Sequence, residues 1–182
     1  MKENTNSRKV FIPCRFAYLN CFEPKSINGD EAKYSVCALI DKRNWKTINA
    51  INTCIEAAIK EFISKRKGQV PTDLKTPLRD GDMEFPEDEV FKNHVFLNAH
   101  TTIAPQIVDF NVEPILDKSL VYSGCYGIIS VTFYGYHVDG NYGIAAGLGN
   151  IQKVKDGEHL SGPMDAVDEF DVVDTEDFLG DM

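Results

Sequence analysis

Metal-ligand spacing is absent from this sequence. Its four histidines, His94, His100, His137 and His159, never fall at H-x-x-H or H-E-x-x-H intervals, and its five cysteines (Cys14, Cys21, Cys37, Cys54, Cys125) never form C-x-x-C. An odd count without such pairs indicates neither a disulfide framework nor a zinc ribbon, and fits a reducing cytoplasm. No apolar run approaches the roughly 20 residues that span a bilayer, and MKENTNSRK is not followed by the apolar core of a signal peptide. A cytoplasmic protein away from membranes is the expectation. Serines lack a G-x-S-x-G setting, no cysteine has a histidine close in sequence, and GIAAGLGN has no Lys-Ser or Lys-Thr after it as a phosphate loop would. The acidic run DGDMEF has alternate carboxylates, but its glycine is misplaced for a Ca²⁺ loop. The expectation is therefore no catalytic residue, no metal and no cofactor.

What is present suits one folded body. With 182 residues, 43% of them hydrophobic and 10% aromatic, the chain can bury one substantial core, and two independent cores are not expected. The net charge of -9 is local: residues 165–182 carry eight carboxylates and no Lys or Arg. Residues 1–79 hold fifteen basic against eight acidic residues, so the first half is a candidate anion-facing side. Three segments are expected: a flexible N-terminus over 1–7, a body over 8–160, and a disordered acidic tail over 161–182.

Periodicity outlines the body. RKVFIPCRFAYL alternates Val10, Ile12, Cys14, Phe16 and Tyr18 against Lys9, Phe11, Pro13, Arg15 and Ala17, the period of two that marks a half-buried strand. KYSVCALID repeats it, with Tyr34, Val36, Ala38 and Ile40 on one side. In NWKTINAINTCIEAAIKEFISKRKG, residues Trp45, Ile48, Ile51, Ile55, Ile59 and Phe62 form an apolar helical stripe, with Asn44 as cap and Lys65, Arg66 and Lys67 before Gly68. Residues 69–93 read as a long surface loop, HVFLNAHTT and QIVDF as short strands. YSGCYGIISVTFYGYHVDGNYGIAAGLGN reads as a long hairpin turning at Asp139-Gly140. Several strands, one central helix and no βαβ alternation point to a mainly β fold, a small closed or nearly closed antiparallel barrel with one inserted amphipathic helix.

A turn at Asp139-Gly140 aligns Phe133 with Ala146 on the core face, and puts Tyr134 and Tyr136 opposite Ala145 and Gly143 on the other. Two readings stay open. Exposed rings beside bare backbone can stack nucleobases, at about 1–3 kcal/mol per base, or each Tyr can simply cover the glycine across from it. Lys9, Phe11 and Arg15 on the outward face of the first strand, with Lys25 and Lys33 beyond, interleave cations with an aromatic as a phosphate backbone requires. Scattered cations also serve merely to keep a face solvated.

The ending DAVDEFDVVDTEDFLGDM sets Phe170 and Phe178 among carboxylates, an odd choice for a solubilising tag. Such a segment can compete with an external polyanion for the basic half and dock its aromatics on other proteins. The order RFAYLNCFEPK, KYSVCALI, the Trp-containing helix, TPLRDGD, FLNAHTTIAPQIVD, YSGCYGIISVTFYGY, GIAAGLGNIQKVKDGEHLSG and a terminal acidic segment resembles the bacteriophage single-stranded-DNA-binding proteins of the OB-fold type. That resemblance implies a five-stranded OB-fold barrel with an inserted helix and sequence-independent binding of single-stranded DNA in phage replication, recombination or repair. It implies a tail, with Asp174, Glu176, Asp177 and Phe178, that contacts replication or recombination proteins, and it places Arg15, Lys33, Tyr134 and Tyr136 in the stretches lining the DNA groove. Self-association is compatible with such a role. Two rivals remain: a protein-interaction module, adaptor or inhibitor, using the exposed aromatic face, and a Mg²⁺ nuclease using the carboxylates of DGDMEFPEDE.

Overall fold

The computed structural model describes residues 6–26 and 28–160. The expectations placed on residues 1–5 and on the acidic segment, including Asp174, Glu176, Asp177 and Phe178, lie outside the described residues. In chain order the elements are β1 (Lys9–Lys25), β2 (Lys33–Asp41), α1 (Trp45–Lys65), β3 (Arg79–Asp80), α2 (Gly81–Glu84), β4 (His94–Thr101), β5 (Ile107–Val108), a 3-10 turn (Lys118–Leu120), β6 (Tyr126–Val138) and β7 (Asn141–Lys155). Among the described residues one sheet runs β3-β4-β2-β1-β6-β7-β5, and a further β4–β7 pairing closes it. The closed ring is thus β1-β2-β4-β7-β6, the five-stranded OB-fold-like barrel expected. Its pairs are antiparallel except at the closure, where Ala99 and His100 lie parallel to Ala146 and Gly147.

A single long strand makes this closure possible. The first half of β1, Lys9 to Arg15, pairs with β6, and from Arg15 onward β1 pairs with β2. Between Ala17 and Asn20 the register shifts, and Tyr18 takes a positive φ of 45°. The bulge reverses the alternation: Ala17 is buried, whereas Tyr18 is 64% exposed, so the expected inward Tyr18 is corrected to an outward one.

Inward residues from all five strands fill the barrel, among them Ile12, Phe16, Val36, Leu97, Val131, Phe133 and Leu148. Helix α1 plugs this core through Ile51, Cys54, Ile55 and Ala58, with Ile48, Ile59 and Phe62 packed beside them. Asn44 caps it by accepting the Thr47 N–H at 3.3 Å. Trp45 is 69% exposed, so the stripe that faces the core starts one turn later, at Ile48. Within the span expected to be loop, Arg79–Asp80 pairs with Val95–Phe96 of β4, and Gly81–Glu84 makes one helical turn capped by Asp80. This segment folds back and builds a second, outer cluster of Ala17, Cys37, Leu39, Phe91 and Phe96, with Val90 and Leu160 against it. Burial pushes the Cys37 and Cys21 thiols up to about 12, so both remain protonated and serve as small apolar groups.

The β6–β7 hairpin has the expected register, with Val138 opposite Asn141 and Phe133 opposite Ala146. Asp139 and Gly140 both have positive φ, 49° and 76°, as a primed two-residue turn requires. Phe133 is fully buried where the hairpin meets the core. Phe133→Ala should therefore cost about 3–5 kcal/mol. Trp45→Ala should change stability by no more than about 0.5 kcal/mol. Urea unfolding followed by circular dichroism checks both values.

Candidate nucleic-acid interface

Outside the barrel, β1, β2 and β4 form the floor of a groove of about 580 Å³. Cross-strand pairing orders its floor into rows. Lys25 lies opposite Lys33; then come Asn20, Ser35 and His100; then Ala17, Cys37 and Asn98; then Leu39 and Phe96. Phe85 and Phe91 wall the apolar end, their rings 4.6 Å apart, and Phe91 meets Phe96 edge-on at 5.0 Å. Tyr18 stands at the rim with its ring nearly parallel to that of Phe91, 23° between planes and 6.3 Å between centroids. Arg79 lies 5.1 Å from the centre of the Phe96 ring and pairs with Glu84. The groove therefore grades from aromatic, through hydroxyl, amide and imidazole groups, to cationic.

Lys25 and Lys33 face each other without a carboxylate partner among the described residues, although Asp30 and Glu31 also line the groove. Like charges directly opposed across strands destabilise a sheet unless an anion joins them. At the middle row, burial and then the charge of Lys33 depress the pKa of His100, favouring the neutral imidazole.

The expected site residues fall into three groups. Lys25 and Lys33 line the groove. Tyr134 and Tyr136 occupy an adjoining shelf on the outer face of β6 and β7, which meets the groove where His100 pairs with Gly147. Of the two open readings of these tyrosines, the structure shows the covering of glycine. A Cβ on Gly143 would sit 2.6 Å from the Tyr136 hydroxyl, and one on Gly147 would sit 3.3 Å from the Tyr134 ring, so each ring does cover bare backbone. Yet Tyr134 remains 39% exposed. Tyr134 reaches the glycine diagonal to it, not Ala145 directly across.

Lys9, Phe11 and Arg15 form the third group, past the shelf on the β1–β6 face. Lys9 pairs with Thr132 and Phe11 with Ser130, and the Lys9 ammonium lies 5.5 Å from the Phe11 ring centre. Arg15 does not line the groove. Its Nε donates to the Gly124 carbonyl at 3.1 Å and its guanidinium to the Glu158 carbonyl at 2.9 Å, fastening residues 156–160 across β1. Tyr126 lies between it and Lys155, with the cations 5.3 Å and 4.8 Å from the ring centre. Tyr18, Phe85, Phe91, Arg79, Asn98 and His100 were not singled out from sequence; only the two-faced strand β4, with Phe96, Asn98 and His100 on one parity, signals them.

Of the carboxylates considered for metal chemistry, Asp80 and Asp82 already share a cation. Lys42 reaches Asp80 at 2.8 Å and Asp82 at 2.6 Å, while Asp80 also caps α2 and Asp82 accepts the Asn93 N–H. These contacts, the Lys42 hydrogen bonds first, lower both aspartates' pKa values and raise that of Lys42. Among the described residues no helix is long and apolar enough to cross a membrane.

Comparison with known proteins accords with this architecture. Residues 8–179 match the family described as "Enterobacter phage Enc34, ssDNA-binding protein". The chain is 32% identical over 170 residues to "Putative protein p50" of Acyrthosiphon pisum secondary endosymbiont phage 1, covering 86% of this chain and 89% of that protein. Among solved structures, the single-stranded DNA-binding protein of bacteriophage Enc34 in complex with ssDNA superposes with a TM-score of 0.72 at 22% identity, covering 88% of this chain and 97% of that one. The single-stranded DNA-binding protein gp2.5 of bacteriophage T7 gives a TM-score of 0.57 at 13% identity, over 91% and 98% of the two chains. At such identities the structural likeness speaks for the fold, while the sequence match spans nearly the whole chain: the protein belongs to the family of the Enterobacter phage Enc34 ssDNA-binding protein.

Proposed function

We propose that this protein is a non-catalytic binder of single-stranded DNA, engaging it without strong sequence dependence during phage DNA replication, recombination or repair. The observation that carries the reading is the opposed Lys25–Lys33 pair, without a carboxylate partner among the described residues, at the mouth of an aromatic groove. Unpaired bases present π-faces to the exposed Tyr18, and phosphates neutralise the facing ammonium groups. From His100 the strand passes over Gly147 to Tyr134 and Tyr136, with Lys9 and Phe11 as its outer edge. Arg15 contributes by holding residues 156–160 in place. Duplex DNA, whose bases are paired and stacked, cannot offer the same faces.

The body over 8–160 binds DNA, and the acidic residues 165–182 act on the same groove. Leu160, the last described residue, packs on the outer cluster that contains Phe91 and Phe96, five residues before the acidic segment begins in sequence. Its eight carboxylates compete with phosphates for Lys25 and Lys33. Once displaced, Asp174, Glu176, Asp177 and Phe178 are available to replication or recombination proteins.

Oligo-dT titration with a duplex control tests the reading. Tyr134→Ala and Tyr136→Ala should each weaken oligo-dT binding by about 1–3 kcal/mol. Lys25→Ala and Lys33→Ala should each reduce the log–log salt slope by about 0.7. A flat salt response, or equal affinity for duplex, would refute single-strand binding. Removing residues 165–182 should tighten oligo-dT binding at low salt and abolish capture of partner proteins, and unchanged values of both would refute the role assigned to the tail.

A further inference from the structure

A binder that merely coats single strands needs rings and cations; it has no use for groups that distinguish one base from another. The middle of this groove contains such groups. Asn98 and His100 stand two residues apart on the same face of β4, at the strand repeat of about 6.6 Å. Asn98 is exposed, His100 is half-buried, and neither side chain makes a hydrogen bond among the described residues. A carboxamide with nothing bound offers two donors and one acceptor side by side, and a neutral imidazole offers one of each.

Their neighbours are arranged differently. On the same row as His100, the Asn20 amide nitrogen donates to the Tyr18 carbonyl and to the Ser35 hydroxyl, both at 3.3 Å. These bonds orient the Asn20 side chain, which lines the groove, and neither of them uses its carbonyl oxygen. They also tie Asn20 to Tyr18, whose left-handed backbone at the bulge turns its ring out over the groove instead of into the barrel. For a residue other than glycine that backbone conformation is strained and is maintained by its surroundings. Tyr18, Asn20, Asn98 and His100 thus line one groove, with a ring at its rim and three polar groups on its floor.

We infer that Asn98 and His100, with Asn20 as an oriented acceptor, read the hydrogen-bonding edge of one nucleobase stacked against Tyr18, so that one position of the bound strand is selective. The inference rests on the single-strand binding proposed above and refines it: most of the track is indifferent to sequence, and this pocket is not. Planar carboxamides recognise an edge that presents a donor beside an acceptor, and discrimination arises because a mismatched base leaves polar groups unpaired.

The test measures the full-length protein against oligo-dA, oligo-dC and oligo-dT of equal length at one salt concentration, alongside Asn98→Ala and His100→Ala. The expected result is a spread of about tenfold between the best- and worst-bound homopolymer, corresponding to ~1.4 kcal/mol. That spread should contract to about twofold or less in Asn98→Ala and shrink in His100→Ala. Differences of flexibility and self-stacking among homopolymers also create preferences, but those belong to the DNA and would persist unchanged in both variants. A spread that persists unchanged, or affinities already equal in the wild type, would overturn the inference while leaving single-strand binding intact. Failure to bind any oligonucleotide would instead overturn the proposed function and this pocket with it. Asn98 is exposed, so its variant should fold; unaltered thermal unfolding verifies this, and Asn98→Asp, which keeps the shape but removes the donors, gives an independent reading of the same spread.

Discussion

The bulge in β1 is the constraint on which the rest of the molecule depends. A strand of 17 residues cannot pair with β6 through one half and β2 through the other while remaining flat, because a closed five-stranded barrel forces it to coil. The register shift after Ala17 supplies the bend, and its by-product is a change of parity. Before it, odd positions face outward; at it, Ala17 is buried beneath Phe91 and Phe96 while Tyr18 emerges. Closure of the barrel and construction of the outer groove are therefore one event.

The sheet of β1, β2 and β4 is consequently apolar on both sides. Its inner face belongs to the barrel core, and its outer face is half covered by residues 80–93, anchored through Lys42 to Asp80 and Asp82. Cover stops at Phe91. Beyond it the floor changes from phenylalanine to amide, hydroxyl and imidazole, and ends at two lysines without counterions among the described residues. The partial cover leaves the groove apolar at one end and charged at the other, the two environments that the base and the phosphate of a nucleotide would need in the proposed role.

Legibility of the sequence followed the strength of its periods. The hairpin was readable residue by residue, because Asp139-Gly140 fixes the turn and period-two patterning then fixes every partner down to Tyr136 and Gly143. Helix α1 was readable from Ile48 onward. Tyr18 was not, since no Gly stands there to signal a positive φ and the run Ala17, Tyr18, Leu19 is apolar in either parity. Strand β4 was half legible for a related reason: alternation puts Asn98 and His100 on the face of Phe96, but with Phe96 buried on one face and Leu97 on the other it gives no sign of which face lies outside the barrel. The bonds from Arg15 to the carbonyls of Gly124 and Glu158 join residues more than 100 apart in sequence, which no local pattern encodes.

The central claim is that rings and cations on the outer faces of β2, β4, β6 and β7 form one continuous track for an unpaired strand. Amide chemical-shift mapping of the isotope-labelled protein during titration with oligo-dT tests it most directly. The account predicts the largest changes at Lys33, Ser35, Asn98, His100 and Gly147, extending to Tyr134 and Tyr136. Changes concentrated on α1 or on residues 102–120, with that track unperturbed, would contradict it.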